Sequence, residues 1–502
     1  MRRHQPLITR WPKPRAFDSN LVVIGAGAAW LVTAYLGTAL RAKVTLIEGD
    51  RMGGDCLNSG CVPSKALLRS ARFLKQAEHA AALGIAKAEI SFDFAEVMAR
   101  VHRVIATVAP HDSAERYRSL GAEVIQGRAT ITSPWTVDVN GRTLATRAIV
   151  IATGAEPVVP PIPGLETVGY YTTETIWSLR ALPRGLIVLG GGPAGCELAQ
   201  AFGRFGAEVA LVEMLPRLMV REDPEVSTLV AAALAADGVQ VLAGHRAVRC
   251  EQVGDQKRLI ASRGEHELVL EFDALLCVVG RTPRAAGYGL EALGVPLTPA
   301  RTIETNAYLQ TLYPSIYACG DVAGPFQLTH AAAHQAWYAT VNALFGGVRR
   351  FKADYAVMPW CTFTDPEVAR VGRSEQDCAE DGIPYAVTRY DLGELDRAIT
   401  DECARGFVKV LTKPGRDKIL GVTIVGDHAG DLLAEYVFAM KHGLGLNKIL
   451  ATVHTYPTLA EANRNAAGAW KQAHAPQQVL RWLGRFHAWR RGGVAAMRGE
   501  PE

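Results

Sequence analysis

Cys56 and Cys61 have four residues between them in Gly53-Gly54-Asp55-Cys56-Leu57-Asn58-Ser59-Gly60-Cys61-Val62-Pro63-Ser64-Lys65. Two thiols at that spacing can close a small ring by oxidation and reopen it by reduction. Pro63 suits the first turn of a helix, and Ala66–Ala71 continues it. Thiols at a helix N-terminus, with Lys65 one turn on, are biased towards thiolate and hence towards redox chemistry or metal capture. The other readings are two unrelated buried cysteines or half of a zinc site. A zinc site would want a second close pair, and none of the nine Cys supplies one.

Such a pair needs a source of electrons, and two glycine turns point to it. Leu21-Val22-Val23-Ile24-Gly25-Ala26-Gly27 runs into the helical stretch 31–40 and then into a strand ending at Glu48. The layout returns at Gly185–Gly195, where Gly190, Gly192 and Gly195 precede a helix and Glu213 ends the next strand. From first glycine to acid the spacing is 23 in both copies. In such a βαβ unit the first glycine permits the turn and the second lets backbone approach a pyrophosphate. The helix N-terminus offers unpaired N–H groups, and the acid takes ribose hydroxyls. Two matched copies imply two dinucleotides in one chain. Glu213 favours a 2′-hydroxyl over a 2′-phosphate, and so NADH over NADPH, although Arg217 nearby could soften that preference. The first copy departs at its third position, where Trp30 replaces a small residue. Either its helix is displaced or the indole points into a neighbouring gap.

The elements that carry these motifs need a large chain. With 502 residues, 49% hydrophobic and 21% charged, the sequence predicts three or four globular domains and excludes disordered, collagenous and small disulfide-scaffold classes. No apolar run reaches a membrane span. Residues 1–15 hold five Arg or Lys and no acid, 464–502 hold seven against two acids, and the stretch between has 42 bases against 48 acids. The basic excess sits in the ends, so nucleic acid is not an expected partner. The first 15 residues lack an apolar signal region and are expected to be a mobile tail. Scattered cysteines in odd number fit a reducing, cytoplasmic setting.

The segment around Cys56 and Cys61 resembles the active-site disulfide of the class I pyridine nucleotide–disulfide oxidoreductases. The resemblance spans about 18–470 and includes both glycine turns, Ala152-Thr153-Gly154, Val279-Gly280-Arg281-Thr282-Pro283, Ile316-Tyr317-Ala318-Cys319-Gly320-Asp321 and Phe363-Thr364-Asp365-Pro366-Glu367. It implies an α/β fold with two Rossmann-like domains, for FAD and NAD(P), and an α+β interface domain. The implied division is a basic tail at 1–17, an FAD domain at 18–160 and 281–350, an NAD(P) domain at 161–280, an interface domain at 351–470 and a basic amphipathic helix at 471–502. Gly25, Gly27, Glu48, Gly54, Lys65, Thr153, Gly154 and Asp321 match FAD-binding positions, with Glu48 on the adenosine ribose and Asp321 on the ribityl chain. Gly190, Gly192, Gly195, Glu213 and Gly280 match positions that hold NADH. Cys61 matches the flavin-facing thiol, Cys56 the interchange thiol, and Lys65 and Glu197 a charged pair beside the flavin. A homodimer with shared active sites is implied.

The acceptor turns on His454-Thr455-Tyr456-Pro457, followed by Glu461. Members that handle dithiols carry a His before that Pro as proton shuttle. Tyr456, with an ordinary phenol pKa of ~10, is a poor base near neutrality. His454 is a displaced substitute whose blander reading is a packed side chain. Mercuric reductases share the Tyr, and a thiolate pair suits soft metal ions. They also carry delivery cysteines, which have no counterpart here: the first Cys is Cys56 and the last is Cys403. A metal-ion acceptor ranks first, a small disulfide such as lipoamide second, and a non-catalytic flavoprotein sensor or scaffold third. Cys196, Cys277, Cys319, Cys361, Cys378 and Cys403 read as core packing. Val479, Trp482, Leu483 and Phe486 recur at helical spacing. The expectation is a helix packed on its own subunit or its dimer mate, in preference to a membrane surface.

Overall fold

The structure, a computed structural model, describes residues 11–491. It divides into two compact units, one running to Tyr355 and including Thr362–Thr364, the other made of Ala356–Cys361 and the chain from Asp365 onward.

The first unit holds two five-stranded parallel sheets. One runs in the order Ile316–Ala318, Ile149–Ile151, Leu21–Ile24, Val44–Glu48, Glu123–Gln126. The other runs Gln240–Ala243, Glu208–Glu213, Gly185–Leu189, Ala274–Cys277, Tyr171–Thr172. All four residues of Leu21–Ile24 are buried, as are Leu186–Leu189 of the matching strand. Unbroken apolar runs of this kind suit strands covered on both faces. In each sheet the glycine turn leaves the carboxyl end of the central strand, where strand order reverses and open α/β sheets bind ligands. The first sheet draws strands from both sides of the second in sequence.

Trp30 is fully buried, and its ring centroid lies 4.6 Å from that of Tyr117. The indole therefore fills a gap in the core beneath the first sheet, among Leu21, Val23, Ala34 and Leu46. Its Nε1 has no hydrogen-bond partner.

The second unit is built on a sheet that includes the antiparallel strands Glu367–Gly372, Ile419–Gly426, Phe407–Thr412 and Ala386–Asp391, in that order. The helices Ala429–Lys441 and Glu461–Ala473 close its core through Leu433, Tyr436, Ala466 and Trp470.

In the expected N-terminal tail, Trp11 packs on the core and the Lys13 ammonium stands 5.0 Å from the centre of the Trp135 ring. Residues 1–10 and 492–502 lie outside the described residues. At the other end the helix Gln477–Arg490 forms as expected, and its residues are exposed or half-buried in the single chain. No helix among the described residues is long and apolar enough to cross a membrane.

Candidate active site

Cys56 lies in the short helix Gly54–Asn58, and Cys61 opens the helix Cys61–Glu78. The chain between them folds tightly because Gly53 and Gly54 take positive φ, and a Cβ on Gly54 would sit 2.7 Å from Gly27 Cα. The redox loop thus rests directly on the first glycine turn. Both cysteines are thiols in this structure. The Cys56 thiol hydrogen-bonds Cys61 and pulls its pKa down to about 6, against burial that opposes it; the Thr329 hydroxyl, 3.4 Å away, and the Lys65 charge pull the same way. The same hydrogen bond, with burial, pushes Cys56 well up. Near neutral pH the pair therefore carries one charge, on Cys61.

One turn on, Lys65 Nζ donates to Glu197 Oε2 at 2.7 Å. Glu197 lies on the helix Pro193–Arg204 of the other sheet and is nearly buried. Its second oxygen accepts from the Phe363 backbone N–H at 2.8 Å, and the Lys65 ammonium sits 4.4 Å from the centre of the Phe363 ring. Three distant segments thus hold one lysine in one place. Thr329 carries no local sequence signal; Phe363 lies in a motif the sequence singles out, but its clasp on Glu197 acts across the fold.

The first glycine turn fits a dinucleotide. Gly25 has φ +105°, and a Cβ there would lie 2.3 Å from Ala152 O. A Cβ at Gly27 would meet nothing within 4 Å. The helix Ala28–Ala39 behind it has no side-chain cap and no acid in its first turn, so its N–H groups face open space where a pyrophosphate fits. Glu48 accepts from Asp50 N at 2.6 Å, and burial raises its pKa. Asp321 follows the strand Ile316–Ala318, in a loop clamped by Gln335, which accepts from Gly320 N and donates to Gly324 O, both at 2.6 Å. Burial lifts the Asp321 pKa to about 6, against the pull of Arg281. Arg281 is ion-paired to Asp55, beside Cys56, and donates to Ala155 O at 2.7 Å. Thr153 donates to Arg284 O at 2.8 Å, and Gly154 O accepts from Arg284 N at 3.0 Å.

The second turn repeats the first. Gly190 has φ +110°, the position in front of Gly192 is open, and a Cβ on Gly195 would lie 1.8 Å from Gly190 O. Glu213 accepts from Gly191 N at 2.6 Å and Leu215 N at 2.7 Å, which fixes the carboxylate at the turn. Arg217 points elsewhere: its guanidinium donates to Glu222 O, Val220 O and Ser227 Oγ. Gly280, φ +140°, accepts from Val158 N at 3.0 Å.

Tyr456, His454 and Glu461 lie in the second unit. Tyr456 is exposed and donates to Asp396 Oδ2 at 3.0 Å, which holds its pKa above the ordinary phenol value. His454 is tied at both ring nitrogens, Nε2 to Glu435 at 3.0 Å and Nδ1 to Thr452 O at 3.0 Å. Glu461 opens the helix Glu461–Ala473, where Oε2 accepts from Thr458 N at 3.4 Å.

Comparison with known proteins gives the family. The family model described as "Pyridine nucleotide-disulphide oxidoreductase" matches residues 19–336, and the dimerisation domain of the same family matches 358–467. A mercuric reductase of Lysinibacillus sphaericus is 34% identical over 89% of this chain and 82% of its own. A dihydrolipoyl dehydrogenase of Thermus scotoductus is 34% identical over 90% of this chain and 97% of its own. Among solved structures, the Cu(II) complex of the HOCl-induced flavoprotein disulfide reductase RclA from Escherichia coli aligns with a TM-score of 0.79 at 26% identity, covering 89% of this chain and 98% of that one. The chain belongs to the pyridine nucleotide–disulphide oxidoreductase family, whose enzymes use FAD and NAD(P)H.

Proposed function

We propose that the enzyme reduces a soft metal ion, Hg(II) foremost, with NADH and through Cys56 and Cys61. The observation that carries this reading is the absence of a free imidazole at Tyr456. The phenol there is held above its ordinary pKa, and His454, the nearest substitute, has both nitrogens engaged. Dithiol exchange needs a proton shuttle, whereas metal reduction needs a thiolate pair. The mercuric reductase relative and the Cu(II) complex of RclA point the same way.

Bound FAD supplies a two-electron relay between the nicotinamide and the thiol pair. The chain positions and biases it. The open glycine turns take the two pyrophosphates, Glu48 and Asp321 take ribose and ribityl hydroxyls, and Lys65 is aimed by Glu197 and Phe363. Cys61 offers a ready thiolate, and a metal ion binding both sulfurs displaces the Cys56 proton to solvent. The balance is NADH + Hg(II) → NAD+ + H+ + Hg(0). On this reading residues 18–160 and 281–350 hold FAD, 161–280 hold the coenzyme, 351–470 pair two subunits, and the scattered thiols suit the cytoplasm.

The test is NADH oxidation by the FAD-loaded enzyme with Hg(II) in excess thiol, with lipoamide alongside. Turnover with Hg(II) well above that with lipoamide is expected. The reverse order overturns the proposal in favour of a dihydrolipoyl dehydrogenase, the reading that the Thermus scotoductus relative supports.

Coenzyme choice gives a second expectation. Glu213 ends the strand after the second glycine turn, where a carboxylate would accept a 2′-hydroxyl and repel a 2′-phosphate, and Arg217 donates to backbone oxygens and Ser227 Oγ. The kcat/KM for NADH should exceed that for NADPH by at least about tenfold, and Glu213→Ala should narrow the gap. Equal values in the unaltered enzyme would contradict this role for Glu213.

A further inference from the structure

We infer that the helix Gln477–Arg490 docks on an anionic lipid surface. Both family models end before it, at residue 336 and residue 467, so the shared catalytic and dimerisation machinery does not account for it. None of its residues is buried; Trp482 is 63% exposed, Trp489 55% and Val479 49%. Val479, Trp482, Leu483, Phe486 and Trp489 share one face of the helix. Ring contacts of 5.7 Å from Trp482 to Phe486 and 6.1 Å from Phe486 to Trp489 make that face one continuous aromatic ridge.

Charge decides the occupant. Arg481, Arg485 and Arg491 lie off the ridge, Arg490 stands over the Phe486 ring at 5.9 Å, and residues 477–491 contain no acid. None of the four arginines has a carboxylate partner among the described residues. Neither the helix nor the rest of the described chain places a carboxylate against this charge. Here the arginines are free to meet a surface that supplies negative charge throughout. Trp rings suit the headgroup level, with one end apolar and one polar. At 14 residues the helix is about 21 Å long, short of a span, and so lies in the plane of the surface with its apolar face down.

The test uses the full FAD-loaded chain and phosphatidylcholine vesicles with and without phosphatidylglycerol. Co-sedimentation is expected to be at least about tenfold greater with the anionic lipid and to fall as salt rises. Trp482→Ser with Phe486→Ser should abolish it, and Arg481→Gln with Arg485→Gln should weaken it, all with NADH turnover intact. Equal sedimentation with and without phosphatidylglycerol overturns the proposal. So does an aromatic double variant that changes the oligomeric state while the unaltered enzyme ignores vesicles, since the ridge would then be covered by a second copy of the chain.

Discussion

Cys56→Ser is expected to lower turnover with any acceptor that draws on the thiol pair by at least about 10³-fold, with FAD content unchanged. The second sulfur is indispensable whether the acceptor is a metal ion held by two thiolates or a disulfide attacked by one. The structure adds a finer expectation. The Cys56 thiol is the largest influence drawing Cys61 down to about 6. In the reduced enzyme, alkylation of Cys61 by iodoacetamide should therefore persist above about pH 6 and fall as pH drops through that value, because only the thiolate reacts. Cys56→Ser keeps a hydroxyl that can donate, so the midpoint should stay low. Cys56→Ala removes the donor, and the midpoint should rise towards the ordinary thiol value. It should not reach that value, because Thr329 and Lys65 still act on the sulfur. A midpoint that is identical in Cys56→Ala would show that Lys65 and Thr329, not the neighbouring thiol, set the charge.

How far the sequence reveals this site depends on whether a feature is local. The two glycine turns are legible because a βαβ unit writes its needs within about 30 residues: a glycine at positive φ, an open position beneath the helix N-terminus, an acid at the next strand end. Both turns are found with those properties, at φ +105° and +110°. The Cys56–Cys61 spacing is local for the same reason. What holds the pair is not. Thr329 reaches Cys61 across 268 residues, and Phe363 reaches Glu197 across 166. Phe363 lies in a motif the sequence singles out, yet nothing beside either residue marks the contact itself, which exists only once separate segments pack together. Arg217 shows the converse. Proximity in sequence made it a candidate for a 2′-phosphate, but short-range backbone carbonyls claim its guanidinium first. The amphipathic period of Gln477–Arg490 is likewise legible, while its partner is not, since a helical repeat records that a face will be covered and not by what.

Trp30→Gly is expected to lower the melting temperature of the FAD-free chain by about 10 °C and to leave flavin affinity unimproved. The third position of the first glycine turn looks, from sequence, like a place where Trp must spoil nucleotide binding. In the second turn the same position is Gly195, where even a Cβ would lie 1.8 Å from Gly190 O. Yet the phosphate-facing backbone is alike in both copies. Gly27 has φ −83° and ψ −168°, and Gly192 has φ −76° and ψ −177°. The indole has instead become core, wholly buried and set against Tyr117. Emptying that space costs about 3–5 kcal/mol for a buried Trp, and a glycine inside a helix adds up to about 1 kcal/mol. Against this stands one relief: the unpaired Nε1 costs about 1–3 kcal/mol as it is. Trp30→Phe separates the two effects, because it keeps a ring on Tyr117 and removes the unpaired N–H. It should melt close to the unaltered chain, far above Trp30→Gly. Flavin titration and thermal melts of both variants decide the matter. A Trp30→Gly chain that melts normally and binds FAD more tightly would mean that Trp30 burdens the nucleotide site and contributes nothing to the core.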